Sequence, residues 1–382
     1  MKTLVILLAE TRASEITYDN IKKNLIDELN ADLALCISCK PDYDYENPFY
    51  KLAKMKFTIE EPEDFGDLFD KEFNEMNEKR LDIFEKCENM NTLYAKLNGP
   101  YEEKENIQLL GNYPKESDID FEKNKHYEEL VYHNNHYKDD KWRNLLYGIK
   151  NNNNNNYVAC ENVTTFKKPL HWREFLQIPD QFFGGVKNSH PGSAGILIYF
   201  RHFLLKKLLE YNLIFKYDRF IITRSDYLYK LPHPQLHLLD ENNVWVPNEE
   251  FYGGITDRHT ILSKCNIIPY LSLFNNMVVR SNEYFSKLKN SGEKYNLEKL
   301  IYFHLCQNNL GDKIKYIPYV MFTVRGKNGT TRWQPGWWVE EFGYHIKYWT
   351  EYNKSEEYKK CYEEGQIKDI NEFYKEEIKK IN

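Results

Sequence analysis

Four segments carry residues whose types and spacing could do chemistry. The first is 220–234, where the apolar run Phe220-Ile221-Ile222-Thr223 passes directly into Arg224-Ser225-Asp226. An acidic side chain at the carboxyl end of a strand can hold a divalent metal against a diphosphate, and Mg²⁺ and Mn²⁺ favour such oxygen ligands. Asp226 could equally cap the turn that follows. The second is 252–262, where Gly253-Gly254 lets backbone approach a ligand closely and Asp257-Arg258-His259 concentrates three polar groups. These could bind sugar hydroxyls or pyrophosphate; alternatively Asp257 caps a helix and Arg258 pairs at the surface. The third is 296–305, with Glu298 near a helix start, where the dipole favours an anion; it reads as a cap or as a catalytic base. The fourth is 324–338, where Gly326, Gly329 and Gly336 imply a mobile loop. There Trp333, Trp337 and Trp338 offer faces that stack on sugar rings or pack in a core, and Arg325 and Arg332 offer charge for phosphates.

Other candidates are weaker. Cys36 and Cys39 form one CxxC, read as ordinary buried thiols rather than a redox or metal pair. His126, His133 and His136 read as solvated histidines rather than a metal site.

The elements that must position these residues follow from hydrophobic periodicity. Residues 4–9 form a short apolar strand, 17–29 an amphipathic helix and 31–38 a second strand, together a βαβ unit. Arg12 lies just beyond the first strand, where open α/β sheets bind ligands; a surface ion pair is its other reading. A third strand is expected at 56–59 and a helix over 67–97. The stretch 66–168 is acidic and rich in Asn and Tyr, includes the Asn run 151–156, and reads as an insertion or variable half-domain. Order returns with a buried helix over 194–211, capped by Ser193. Strands follow at 219–223 and 244–246, helices at 267–274, 283–288 and 297–306, and one strand over 317–324. Residues 351–382 read as a charged, solvated helical tail.

Composition bounds the function. The chain has 382 residues, a formal charge of −6, and only 17 Gly and 14 Pro, which excludes collagen-like and wholly disordered classes. Its 30 Tyr, 22 Phe and 7 Trp can build a large core. The acidic balance gives no support for nucleic-acid binding. No apolar run approaches the roughly 20 residues of a membrane helix, and no signal-peptide pattern is seen. Seven cysteines, an odd number, suggest a reducing compartment. A cytoplasmic protein is expected.

The order of these motifs resembles a known family. Thr11-Arg12 follows the first strand, and Gly192-Ser193-Ala194-Gly195 opens the late helix. Arg224-Ser225-Asp226, Trp245-Val246-Pro247, Gly253-Gly254 with Asp257-Arg258, and a Glu-led helix come next. This arrangement is similar to GT-A nucleotide-sugar glycosyltransferases, in particular those encoded by large DNA viruses, over about residues 1–60 and 171–335; 193–262 is the specific part. The resemblance implies an α/β, Rossmann-like GT-A domain over 1–350, with a mixed sheet flanked by helices. It further implies a nucleoside-diphosphate sugar donor, UDP-sugar foremost, a glycan or glycoprotein acceptor, and Mn²⁺ or Mg²⁺ on Asp226. The family's Asp-x-Asp is incomplete here, because Arg224 occupies its first position. By position Thr11, Arg12, Arg201, Arg224, Ser225, Arg258 and Arg325 would bind the donor, Asp257 would contact a sugar, and Glu298 would be the base of an inverting enzyme. The rivals are a non-catalytic carbohydrate-binding or scaffold protein and a sugar nucleotidyltransferase. The second usually carries a Gly-rich loop after the first strand, which Leu7–Glu15 lacks.

Overall fold

The strand β1 (Thr3–Ala9) is apolar along its length because both of its faces are covered. Leu4, Ile6 and Leu8 enter one core, while Val5 and Leu7 enter another on the opposite face of the sheet, the period-two alternation of a strand. The computed structural model describes residues 1–85, 172–176, 184–187, 192–279, 281–290, 294–329 and 336–382. Helix α1 (Ser14–Ile21) runs on into a π-helical turn, Lys22–Asp27, before β2 (Asp32–Cys39). A short α2 (Pro48–Leu52), β3 (Met55–Glu60) and α3 (Phe65–Glu85) follow. Then come α4 (Trp172–Leu176), the buried α5 (Ala194–Glu210), α6 (Leu213–Lys216), β4 (Arg219–Thr223) and β5 (Tyr227–Tyr229). β6 (Val244–Pro247) and β7 (Thr260–Ser263) lead to α7 (Ile267–Leu271), α8 (Leu273–Val279), α9 (Ser281–Asn290) and α10 (Leu297–Gln307). The chain then forms β8 (Ile314–Ile317), β9 (Met321–Arg325), β10 (Trp337–Val339), β11 (Tyr344–Ile346), α11 (Trp349–Glu364) and α12 (Ile370–Ile381).

Seven strands make one mixed sheet in the order β3-β2-β1-β4-β7-β6-β8. β1, β2, β3 and β4 are parallel, and β7 is antiparallel to both of its neighbours. The α/β class and the mixed sheet flanked by helices are therefore as expected. A second, antiparallel sheet runs β10-β11-β9-β5. The chain passes from the first sheet to the second across Arg224-Ser225-Asp226, and the Val324 amide donates to the Asp226 carbonyl at 2.9 Å.

Several expectations need revision. The stretch 317–324 is two strands in two sheets, because Pro318 has no N–H to give a ladder and the chain changes sheet there. The stretch 267–274 is two helices that meet at Ser272. The start of the expected insertion belongs to the body: Phe65, Phe69 and Phe73 pack in the same core as Trp172 and α5. Residues 86–97 of the expected helix, the three histidines and the Asn run lie outside the described residues. The tail is docked rather than solvated throughout, with Glu351, Ser355, Tyr358, Phe373 and Tyr374 buried. Trp337 is 52% exposed, so it is not a core residue; Trp333 lies outside the described residues. Cys36 and Cys39 are buried free thiols. Among the described residues no helix is long and apolar enough to cross a membrane.

Candidate functional site

β1 and β4 are paired neighbours, yet the chain leaves β1 toward β2 and returns to β4 much later. Their carboxyl ends are thus a topological switch point, where open α/β sheets bind ligands. A cleft open to solvent lies there. Its walls come from the loop after β1 (Glu10, Arg12), the end of β4 (Arg224–Asp226), the start of α5 (Gly192, Ser193), the Asp257-Arg258 pair, and Lys347 after β11. The loop after β1 is held in an unusual backbone, with Ala9 at φ 77° and Ala13 at φ 51°, a left-handed region uncommon for residues other than glycine. The surroundings over-determine it. The Ser225 hydroxyl lies 3.0 Å from the Glu10 carbonyl and 3.1 Å from that of Arg12, and the Thr17 hydroxyl donates to the Ser225 carbonyl at 2.6 Å.

Asp226 is buried, and both of its carboxylate oxygens are engaged. Arg224 donates a fork, Nε to Oδ1 and Nη2 to Oδ2, each at 2.8 Å. Arg325 donates Nη1 to Oδ2. Burial alone would raise the carboxyl pKa, but the two guanidiniums outweigh it and hold Asp226 far below the usual carboxylate range. This donor set does not fit a divalent cation: a metal would have to displace two guanidiniums from a buried carboxylate, beside further positive charge. Among the described residues no three His, Cys, Asp or Glu side chains converge on a metal position.

The other nominated residues divide by location. Arg12 and Glu10 form an ion pair on the cleft wall. Thr11 turns aside, its hydroxyl 2.9 Å from that of Tyr43, and is not on the wall. Ser225 reaches the cleft but serves as the loop staple described above. Arg201 is fully buried and donates to the Leu197 and Asp257 carbonyls at 3.1 and 3.0 Å, so it fixes the Asp257 backbone and does not line the cleft. Arg258 lines the cleft, but its charge is spent on Glu351 at 2.5 Å and Glu250 at 3.2 Å, with the Tyr348 ring 4.1 Å away. Arg325 also donates to Asp226, while its Nε and Nη2 have no hydrogen-bond partner among the described residues. Ser193 occupies the N-cap position of α5 without a side-chain capping bond.

Asp257 is a third carboxylate on the cleft wall, after Glu10 and Asp226. Glu298, in the first turn of α10, is near enough to feel the Asp257 charge but is not on the cleft wall. Burial first, and then the Asp257 charge, push the Glu298 carboxyl up to about 7. Glu298 is not the helix cap; Asn296 is, its side-chain oxygen accepting from the Lys299 amide at 2.8 Å. The two adjacent glycines also have a different use from the one expected. A Cβ on Gly254 would come within 2.1 Å of the Glu298 carbonyl oxygen, so the close approach is to the start of α10, not to a ligand.

Lys347 escaped sequence reasoning. It follows a short strand in a segment with no motif, and only the second sheet carries it to the cleft. It is 5% exposed, and its ammonium makes no hydrogen bond or ion pair among the described residues. Burial, followed by the nearby Arg224 and Arg325 charges, pulls its pKa down to about 6. Comparison with known protein families, curated proteins and solved structures finds no match for this chain.

Proposed function

We propose that this chain is a glycosyltransferase, moving a sugar from a nucleoside-diphosphate donor to a hydroxyl of a glycan or glycoprotein. One observation carries the reading: a single switch-point cleft combines Arg12, Arg224, Arg258 and Lys347 with the carboxylate Asp257, whose charge, after burial, raises the carboxyl of Glu298 to about 7. A hydroxyl is a poor nucleophile, so a carboxylate takes its proton as the oxygen bonds to the anomeric carbon. The bond from that carbon to the diphosphate breaks, and the nucleoside diphosphate leaves with the electron pair. Its added negative charge falls against the basic wall, where preorganised donors are most effective. Glu298, shifted toward the operating pH, is the base, acting directly or through Asp257.

The test is consumption of UDP- and GDP-sugars with candidate acceptors, followed by nucleotide release. Glu298→Gln should lower turnover by about 10²–10⁴-fold without loss of donor binding. Unchanged transfer in that variant removes Glu298 as the base. The poor fit of Asp226 to a metal favours one second reading, a protein on this fold that binds sugar nucleotide or glycan without turning it over. Tight nucleotide binding with no release of product from any donor would select it.

A further inference from the structure

We propose that the cleft binds the diphosphate directly on protein cations, with Lys347 and Arg224 as its contacts and with no bridging divalent metal, and that Asp226 is a positioning residue for the guanidiniums. This deepens the function proposed above and rests on it only for the identity of the anion as part of a sugar nucleotide.

The cations of the wall differ in how far they are paired. Arg12 is neutralised by Glu10, and Arg258 is more than offset by Glu351, Glu250 and Asp257. Asp226 faces two guanidiniums, so that group keeps one net positive charge. Lys347, largely neutral near pH 7 because its pKa is pulled down to about 6, adds a second by taking up a proton as an anion binds. The diphosphate of a nucleoside-diphosphate sugar carries two negative charges, which the Arg224, Arg325 and Lys347 group can take up, whereas the group around Arg258 is net negative. A buried ammonium without a counter-charge is costly, and an anion in the cleft supplies what Lys347 lacks.

Two of these side chains also keep hydrogen-bond donors available. The fork to Asp226 uses Nε and Nη2 of Arg224, which leaves Nη1 unbonded among the described residues, on a side chain that lines the cleft. The Lys347 ammonium has three N–H donors and no hydrogen-bond or ion-pair partner among the described residues; the Tyr348 ring lies 5.2 Å away. The base of the lysine is fixed: its amide donates to the Thr323 carbonyl at 2.9 Å. Gly336, at φ 96°, lies so close that a Cβ there would come within 2.6 Å of the Lys347 Cα. The N-terminus of the 17-residue α5 adds partial positive charge at Gly192 and Ser193 on the same wall.

Asp226 holds this group together. Without it, Arg224, Arg325 and Lys347 would crowd like charges in a buried space. With it, the two guanidiniums are held in one geometry before any ligand arrives, which reduces the ordering cost of binding.

The experiment is titration calorimetry of the full chain with inorganic pyrophosphate and with UDP, each in EDTA and in Mn²⁺. Both probes should bind in EDTA, with affinity changed less than about three-fold by Mn²⁺. Lys347→Met should weaken pyrophosphate binding by at least about ten-fold, as expected for loss of a charge-assisted contact, and Lys347→Arg should restore most of it. A melting temperature measured on each variant separates lost binding from lost folding. Binding seen only with Mn²⁺, or binding unaltered in a folded Lys347→Met protein, overturns the proposal. The two readings fail separately. Sugar transfer that requires Mn²⁺ sinks metal-free binding and leaves the transferase standing. Metal-free pyrophosphate binding with no sugar nucleotide consumed leaves this site standing and sinks the transferase.

Discussion

Glu298 shows how a single residue's environment sets its chemistry. Its carboxyl, raised to about 7 by burial and by Asp257, must be ionised to accept a proton. Transfer catalysed by the intact protein should therefore rise with pH through about 7, and the Glu298→Gln variant should lose that limb of the profile along with its rate. A second residue-scale feature lies on the other side of β4. The His233 Nδ1 is 2.8 Å from the Pro234 carbonyl, which can only accept, so that nitrogen carries the proton. The His233 Nε2 then accepts from the His259 Nε2 at 3.3 Å, and the His259 Nδ1 accepts from the Thr223 hydroxyl at 2.9 Å. Both rings are neutral. Burial lowers the His233 pKa to about 4 and lowers that of His259 as well. The unfolded chain, near 6.5, binds more protons than the native one between about 6.5 and 4, so stability is full above this window and falls as pH drops through it. His233 alone accounts for on the order of 3 kcal/mol. Urea denaturation across pH 4–7 should show this slope, and His233→Gln should flatten it.

At the scale of elements, the site is a meeting of short segments rather than a property of any one of them. The loop 252–257 brings Asp257 to the cleft by lying directly on the start of α10, and Gly254 is the contact point. Gly254→Ala should force the loop and helix apart, cost about 1–3 kcal/mol in urea denaturation, and shift the apparent pKa of Glu298 toward its ordinary value as Asp257 moves away. The crossing from β4 to β5 matters equally. It turns Asp226 out of the first sheet and into register with β9, whose last residue is Arg325. The apolar runs of β1, β2 and β4 and the buried face of α5 are legible in sequence, because strands and helices covered on all sides are apolar throughout. The division of 317–324 between two sheets is not, since an apolar run that changes sheet has the same pattern as one that does not.

At the scale of the whole molecule, the C-terminal helices close the structure around the site. Glu351 is fully buried at the start of α11. It accepts from Arg258, from the Tyr319 hydroxyl at 2.9 Å and from the Thr323 amide at 2.7 Å. Further along, Tyr358, Phe373 and Tyr374 join the core on the α1 face of the main sheet. Deleting residues 349–382 would leave Arg258 without its main counter-charge and uncover that core. Removing one partner of a buried pair typically costs about 3–5 kcal/mol, comparable with the 5–15 kcal/mol total of ordinary domains. The truncated chain should lose cooperative thermal unfolding and bind a dye that reports exposed apolar surface. A truncated protein that melts as sharply as the full chain would show that the tail is dispensable.

The sequence by itself determined the elements: the βαβ start, the strand running into Arg224-Ser225-Asp226, the buried α5, and Glu298 in the first turn of its helix. These are local, because apolar periodicity and capping act over a few residues. The tertiary structure alone decided what the charges do. Asp226 reads as a metal ligand until Arg325 arrives from another sheet, and Arg201 and Arg258 read as ligand contacts until their partners Asp257, Glu250 and Glu351 are in place. Lys347 reads as one surface lysine among many until the second sheet buries it at the cleft. The physical reason is that the worth of a charge depends on its desolvation and its neighbours, and both are supplied by residues remote in the chain.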